Sequence, residues 1–121
     1  VIRKVDDYAV FKRAHALTLD VYRLTIHFPK DERYGLVSQM RRAAYSIPMN
    51  LKEGSAGSVV EFARYVRIAT GSKEELEYQL MLAFDLGYVS KEQCKQLCGE
   101  VAEIGKMLYA LLRKLVSDSD A

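Results

Sequence analysis

Apolar residues recur along the chain at steps of three and four in four blocks, and each block is bounded by proline, glycine or serine. In the first, Val10, Ala14, Leu17, Val21, Leu24 and Phe28 step by 4, 3, 4, 3, 4, a period that holds one seam toward a partner helix. A helix from about Tyr8 to Phe28 follows, with Asp6 or Asp7 as N-cap and Pro29 as the stop. The short charged loop 29–35 favours an antiparallel return. Val37, Met40, Ala44, Ile47 and Leu51 continue the seam through a second helix, about Leu36 to Gly54. Pro48 sits inside that helix, deletes a bond to the Ala44 carbonyl and predicts a kink near Ser46 to Pro48.

Ser58 and Glu61 fit a capping box, so a third helix is expected to start at Val59 and to end with Gly87 just beyond its C-terminus. Phe62, Val66, Ala69, Leu76, Leu80 and Ala83 form its seam, and Tyr65, Ile68, Leu82 and Phe84 suggest a second buried face. Ser90 and Gln93 repeat the capping pattern before Cys94, Leu97, Val101, Ile104, Leu108, Leu111 and Leu115, the seam of a fourth helix. The expectation is an all-α, antiparallel up-down-up-down four-helix bundle. Residues 1–116 form its single domain, and the polar residues 117–121 form a frayed tail.

Composition agrees with this pattern: 121 residues, half of them hydrophobic, with only two prolines and few β-branched runs. The longest purely apolar run, Leu80 to Phe84, is far short of the roughly 20 residues of a membrane span. No export signal is visible at the start, and a cytoplasmic location is the resulting expectation. The net charge of +2 is too small to announce a polyanion partner, but it is unevenly placed. Residues 1–57 carry ten basic and six acidic side chains, and residues 58–121 carry eight and ten.

Candidate chemistry is sparse. His15 and His27 lie more than three helical turns apart and cannot share a metal within one protomer. Cys94 and Cys98 are one turn apart on one helix, a poor geometry for a disulfide, and packing is the better reading. Neither Gly54 to Ser58 nor Gly71-Ser72-Lys73 has the order or context of a phosphate-binding loop. With no nucleophile elbow and no metal-spaced carboxylates, the sequence points away from an enzyme, a metal or a cofactor.

Two surface features of helices two and three remain. Gln39, Arg42, Ser46, Asn50 and Glu53 form a polar line beside the apolar seam. Ser46 and Asn50 either satisfy backbone groups freed by Pro48 or pair with Glu77 or Ser72 of helix three. Arg41, Arg42, Lys52, Arg64 and Arg67 form a candidate nucleic-acid-binding patch, with Tyr45 and Tyr65 as stacking platforms. The competing expectation is a protein-interaction scaffold. Its spare apolar and tyrosine surface is Tyr22, Tyr45, Tyr65, Ile68, Tyr78 and Tyr109, and Tyr45, Tyr65 and Ile68 are the expected protomer contacts.

The segments Arg41 to Gly54, Glu61 to Tyr65 and Ala69 to Glu77 resemble the signature of the four helix bundle protein family, encoded in intervening sequences of bacterial 23S rRNA genes. The resemblance runs from about Tyr8 to Leu115 and includes Phe28-Pro29, Glu32 to Leu36 and Asp85 to Tyr88. The same fold includes the accessory protein of diversity-generating retroelements. The resemblance implies a homopentameric barrel with a positive surface suited to RNA or DNA, and a protein partner such as a reverse transcriptase for the scaffold reading. Members often read Ala-Asn-Ile-Ala-Glu-Gly followed by basic residues. Here Met49, Leu51 and Lys52 depart from that pattern, and the turn Ser55-Ala56-Gly57-Ser58 is uncharged.

Overall fold

A computed structural model describes residues 4–120. After a 3-10 turn at Val5–Asp7, four helices follow: α1 (Ala9–Thr25), α2 (Leu36–Ser55), α3 (Val59–Asp85) and α4 (Lys91–Asp120). Each helix packs on its neighbours in chain order and α4 closes back on α1, with no close backbone approach between diagonal helices among the described residues. This is the antiparallel four-helix bundle that the periodicity predicts. No helix is long and apolar enough to cross a membrane.

The predicted seams meet at the centre. Leu17, Val21, Met40, Ile47, Leu51, Val66, Leu76, Leu80, Val101, Ile104 and Leu108 are fully buried. The second set on α3 does not form a buried face, since Ile68 and Phe84 are exposed and Tyr65 and Leu82 only half-buried. A helix at the corner of a four-helix square has two neighbours, which leaves its outer side open.

Helix ends follow local chemistry, with departures from expectation at both ends of α1 and at the end of α4. The N-cap position of α1 is Tyr8 rather than Asp6 or Asp7, and Tyr8 makes no side-chain capping bond. Val5 is buried and draws the chain into the 3-10 turn, while the Asp6 carboxylate is taken by Lys52 at 3.0 and 3.2 Å. α1 leaves α geometry at Thr25, whose hydroxyl donates to the Val21 and Tyr22 carbonyls, and Phe28 reaches the core from the tightened turn that follows. Both capping boxes form: the Glu61 N–H donates to Ser58 Oγ and the Gln93 N–H to Ser90 Oγ, each at 3.1 Å. Gly87 takes φ +80° after α3, a left-handed conformation open to glycine, and Tyr88 N–H donates back to the Ala83 carbonyl. The polar end expected to fray continues α4 as far as Asp120, and residue 121 lies outside the described residues, as do residues 1–3.

α2 is helical without interruption through the buried Pro48. Six residues on, Gly54 lies against α3 so closely that a Cβ there would sit 2.5 Å from Tyr65 Cβ. This contact and the Ser46–Ser72 hydrogen bond at 2.8 Å fix the register of α2 against α3.

Candidate functional site

The polar line of α2 divides into structural and exposed parts. Ser46 bonds Ser72 across the α2–α3 groove, one of the two partnerships the sequence left open. Asn50 is buried, and its amide donates to the Ser46 carbonyl at 2.7 Å and to Ser46 Oγ at 2.9 Å. The Ser46 carbonyl lies in the turn that Pro48 crowds, so Asn50 secures the backbone there rather than the Ala44 carbonyl that the proline frees. Gln39, Arg42 and Glu53 of the same line are exposed. Below the groove, Gln79 is buried with Oε1 lacking a hydrogen-bond partner.

The five basic residues have different surroundings. Arg41 is turned inward: Nε donates to Thr25 Oγ1 at 2.9 Å, a terminal nitrogen donates to the Tyr22 carbonyl at 3.3 Å, and the guanidinium lies 4.5 Å from the centre of the Tyr22 ring. It thereby supplies a cation and two donors to the C-terminal end of α1. Lys52 is engaged with Asp6. Arg64 lies over the ring of its neighbour Tyr65 at 4.9 Å. Arg42 and Arg67 are exposed and make no ion pair or hydrogen bond among the described residues. By the α2–α3 register, Arg42 is level with residues near 76 and Arg67 with residues near 51. At ~1.5 Å per helical residue the two are ~14 Å apart along the bundle.

Nor do the three expected protomer-contact residues share a face. Tyr45 follows Arg41 by one turn on the flank of α2 that faces α1, whereas Tyr65 and Ile68, one turn apart, both lie on the α2 side of α3. The exposed apolar surface includes residues that the sequence assignment passed over. Leu19 on α1 and Ile26 just past its end flank the already assigned Tyr22 at steps of three and four, outside the core seam, and Met49, Val60 and Met81 are exposed on α2 and α3. The spacing of Leu19, Tyr22 and Ile26 was readable as a second stripe.

Three further arrangements were invisible in the sequence. Arg13 of α1 holds Glu100 of α4 in a two-bond fork at 2.9 and 2.7 Å, and this hydrogen bond raises the arginine pKa. Lys73 lies over Gly105, only 13% exposed, with Nζ 2.8 Å from Glu74 and 3.6 Å from Glu77; the bond to Glu74 raises its pKa despite partial burial. An apolar cleft of about 690 Å³ opens at the end of the bundle where Tyr8, Val10, Phe62, Leu111 and Leu115 meet, with Lys114 at its rim. Cys94 and Cys98 have sulfurs 3.8 Å apart, and burial followed by the Cys94 hydrogen bond pushes the Cys98 thiol up to about 11. Among the described residues no cluster of His, Cys, Asp or Glu could hold a metal ion.

Residues 6–110 match the family described as 23S rRNA-intervening sequence protein, which covers most of the chain. The chain belongs to this family. The fold has a solved counterpart, a protein of unknown function from the S23 ribosomal protein family of Bacteroides thetaiotaomicron. The two are 22% identical and superpose with a TM-score of 0.77 over 86% of this chain and 98% of that one. None of the curated proteins matches.

In this member, the segment Arg41 to Gly54 that carries the family likeness is chiefly structural. Arg41 ties α2 to the end of α1, Ala43, Ala44, Ile47 and Leu51 fill the core, Asn50 braces the Pro48 turn, and Gly54 lets α3 approach.

Proposed function

We propose that this family member is a non-catalytic scaffold that assembles with copies of itself, as a pentamer by family resemblance. The observation that carries this reading is the apolar stripe Leu19, Tyr22 and Ile26, which lies outside the core at helical spacing and is 38–68% exposed. Apolar surface at such spacing is what a helix presents to another helix. The test is light scattering at micromolar concentration. A mass several times 13.8 kDa, lost in Leu19→Asp with Ile26→Asp, supports the scaffold; a monomer of 13.8 kDa at every concentration refutes it.

Nucleic-acid backbone binding is the second reading, favoured by the unpaired guanidinium groups of Arg42 and Arg67 and by the exposure of Arg64. Arg41 and Lys52 contribute charge to it only through what their internal contacts leave free. Five such sets around an axis would add up to a much larger footprint than one. Fluorescence anisotropy with RNA and DNA hairpins at about 50 and 200 mM salt tests it, because phosphate contacts weaken steeply over that range. No binding at the lower salt, or binding insensitive to Arg42→Glu with Arg67→Glu, refutes it.

A further inference from the structure

The outward face of α3 has a symmetry of its own. At its middle is Gly71, exposed, helical, and with nothing within 4 Å of where a Cβ would stand. Glycine in a helix interior is destabilising relative to alanine, and no packing within the protomer calls for it here. A helix-interior glycine on a surface allows another backbone to come close.

The side chains around Gly71 pair by distance from it. Four residues before it is Arg67 and four after is Glu75, both exposed and both without an ion pair among the described residues. Seven before is Arg64 and seven after is Tyr78, 60% exposed. Eleven before is Val60, 67% exposed, and eleven after is Leu82, half-buried. Offsets of four, seven and eleven return to one stripe of a helix, within about 40° of Gly71 at ~100° per residue. Each pair is complementary: cation with anion, cation with aromatic face, apolar with apolar. Glu74, three residues after Gly71, is already held by Lys73 and lies opposite Ile68, so it brings no like-charge conflict.

A two-fold contact requires that if residue i of one copy meets residue j of the other, j also meets i. Two antiparallel α3 helices crossing at Gly71 meet that condition at all three offsets. We infer that α3 packs across a two-fold axis on α3 of a second copy, with Gly71 at the crossing. Arg67 pairs with Glu75 of the second copy, Arg64 covers its Tyr78, and Val60 meets its Leu82. This rests on the self-assembly reading and names a partner face for it. It is a contact separate from the α1 stripe.

Charge exchange tests the pairing. Arg67→Glu and Glu75→Arg each place like charges opposite one another twice per contact, and each weakens self-association by at least about tenfold in sedimentation equilibrium. An equal mixture of the two variants restores it, because in the mixed pair all four charges meet opposites. Helical circular dichroism stays unchanged, since neither residue has an ion-pair partner among the described residues of the protomer. Independently, Gly71→Cys in a chain with Cys94→Ser and Cys98→Ser gives a disulfide-linked dimer on mild oxidation, whereas Arg67→Cys in that chain gives none. A chain that assembles with an affinity indifferent to these charge changes, or a mixture that fails to recover, overturns the α3 contact and leaves assembly standing. A wild-type monomer at all concentrations overturns both.

Discussion

Replacing Gly54 by alanine tests whether the close approach of α2 and α3 sets the packing of the bundle. The added Cβ would lie 2.5 Å from Tyr65 Cβ and 3.1 Å from Phe62 Cδ1. The first clash cannot be relieved by a side-chain rotation, because Tyr65 Cβ moves only with the α3 backbone. Two methyl-sized groups need nearly 4 Å, so the helices must part by more than ~1 Å at this point. Overpacking of that kind costs about 1–3 kcal/mol, and this site belongs at the upper end. Alanine's better helix propensity returns about 1 kcal/mol. The net expectation is a loss of ~1–2 kcal/mol, or ~4–8 °C in melting temperature for a chain of this size. Gly99→Ala is the control, because a Cβ there meets nothing within 4 Å on an exposed part of α4. It should gain up to about 1 kcal/mol from propensity alone. Urea unfolding followed at 222 nm, at one fixed protein concentration so that association does not shift the midpoint, gives both values. If Gly54→Ala is as stable as wild type, or if both glycines respond alike, the close-contact argument is refuted.

Asn50→Ala should cost about 1–2 kcal/mol, since it removes two hydrogen bonds from a buried amide beside Pro48, and urea unfolding measures it. Stability should also fall in alkali: the Lys73 and Tyr88 pKa values are raised above 10.5 and 10.0 by bonds to Glu74 and Glu32. A group whose folded pKa is raised contributes fully below its unfolded value and is lost as pH climbs through the folded one, so melting temperature should drop above about pH 10 and Tyr88→Phe should lessen the drop. Burial is the largest cause holding the Cys98 thiol above its usual range, so Cys98 should react slowly with iodoacetamide at neutral pH in a Cys94→Ser chain, and mass spectrometry of timed samples would show rapid labelling if the burial argument were wrong.

The fold was legible because each helix carried its own signals. Seam positions such as Leu17, Ile47, Leu80 and Ile104 are all fully buried, and the serines before α3 and α4 cap as their spacing predicts. The start of α1 was misread because an aspartate before a helix is a cap only if no stronger partner claims it, and Lys52, remote in sequence, does so for Asp6. The candidate site was less legible. Arg41 and Arg42 are adjacent and chemically identical, yet a turn of ~100° sends one to the end of α1 and leaves the other in solvent.

The sequence by itself determined the number of helices, their inward faces, most of their ends and the family, because periodicity, capping and motif are local properties. Only the tertiary structure decided which charges are spent internally. Arg13 with Glu100, Lys52 with Asp6 and Arg41 with the Tyr22 carbonyl join segments far apart in the chain, and no local pattern encodes such distances. What those contacts leave unpaired among the described residues includes Arg42, Arg67 and Glu75, and with the apolar stripe of α1 it forms surface available to a partner. That remainder exists only once the helices are packed, since packing consumes some polar and apolar groups and exposes the rest.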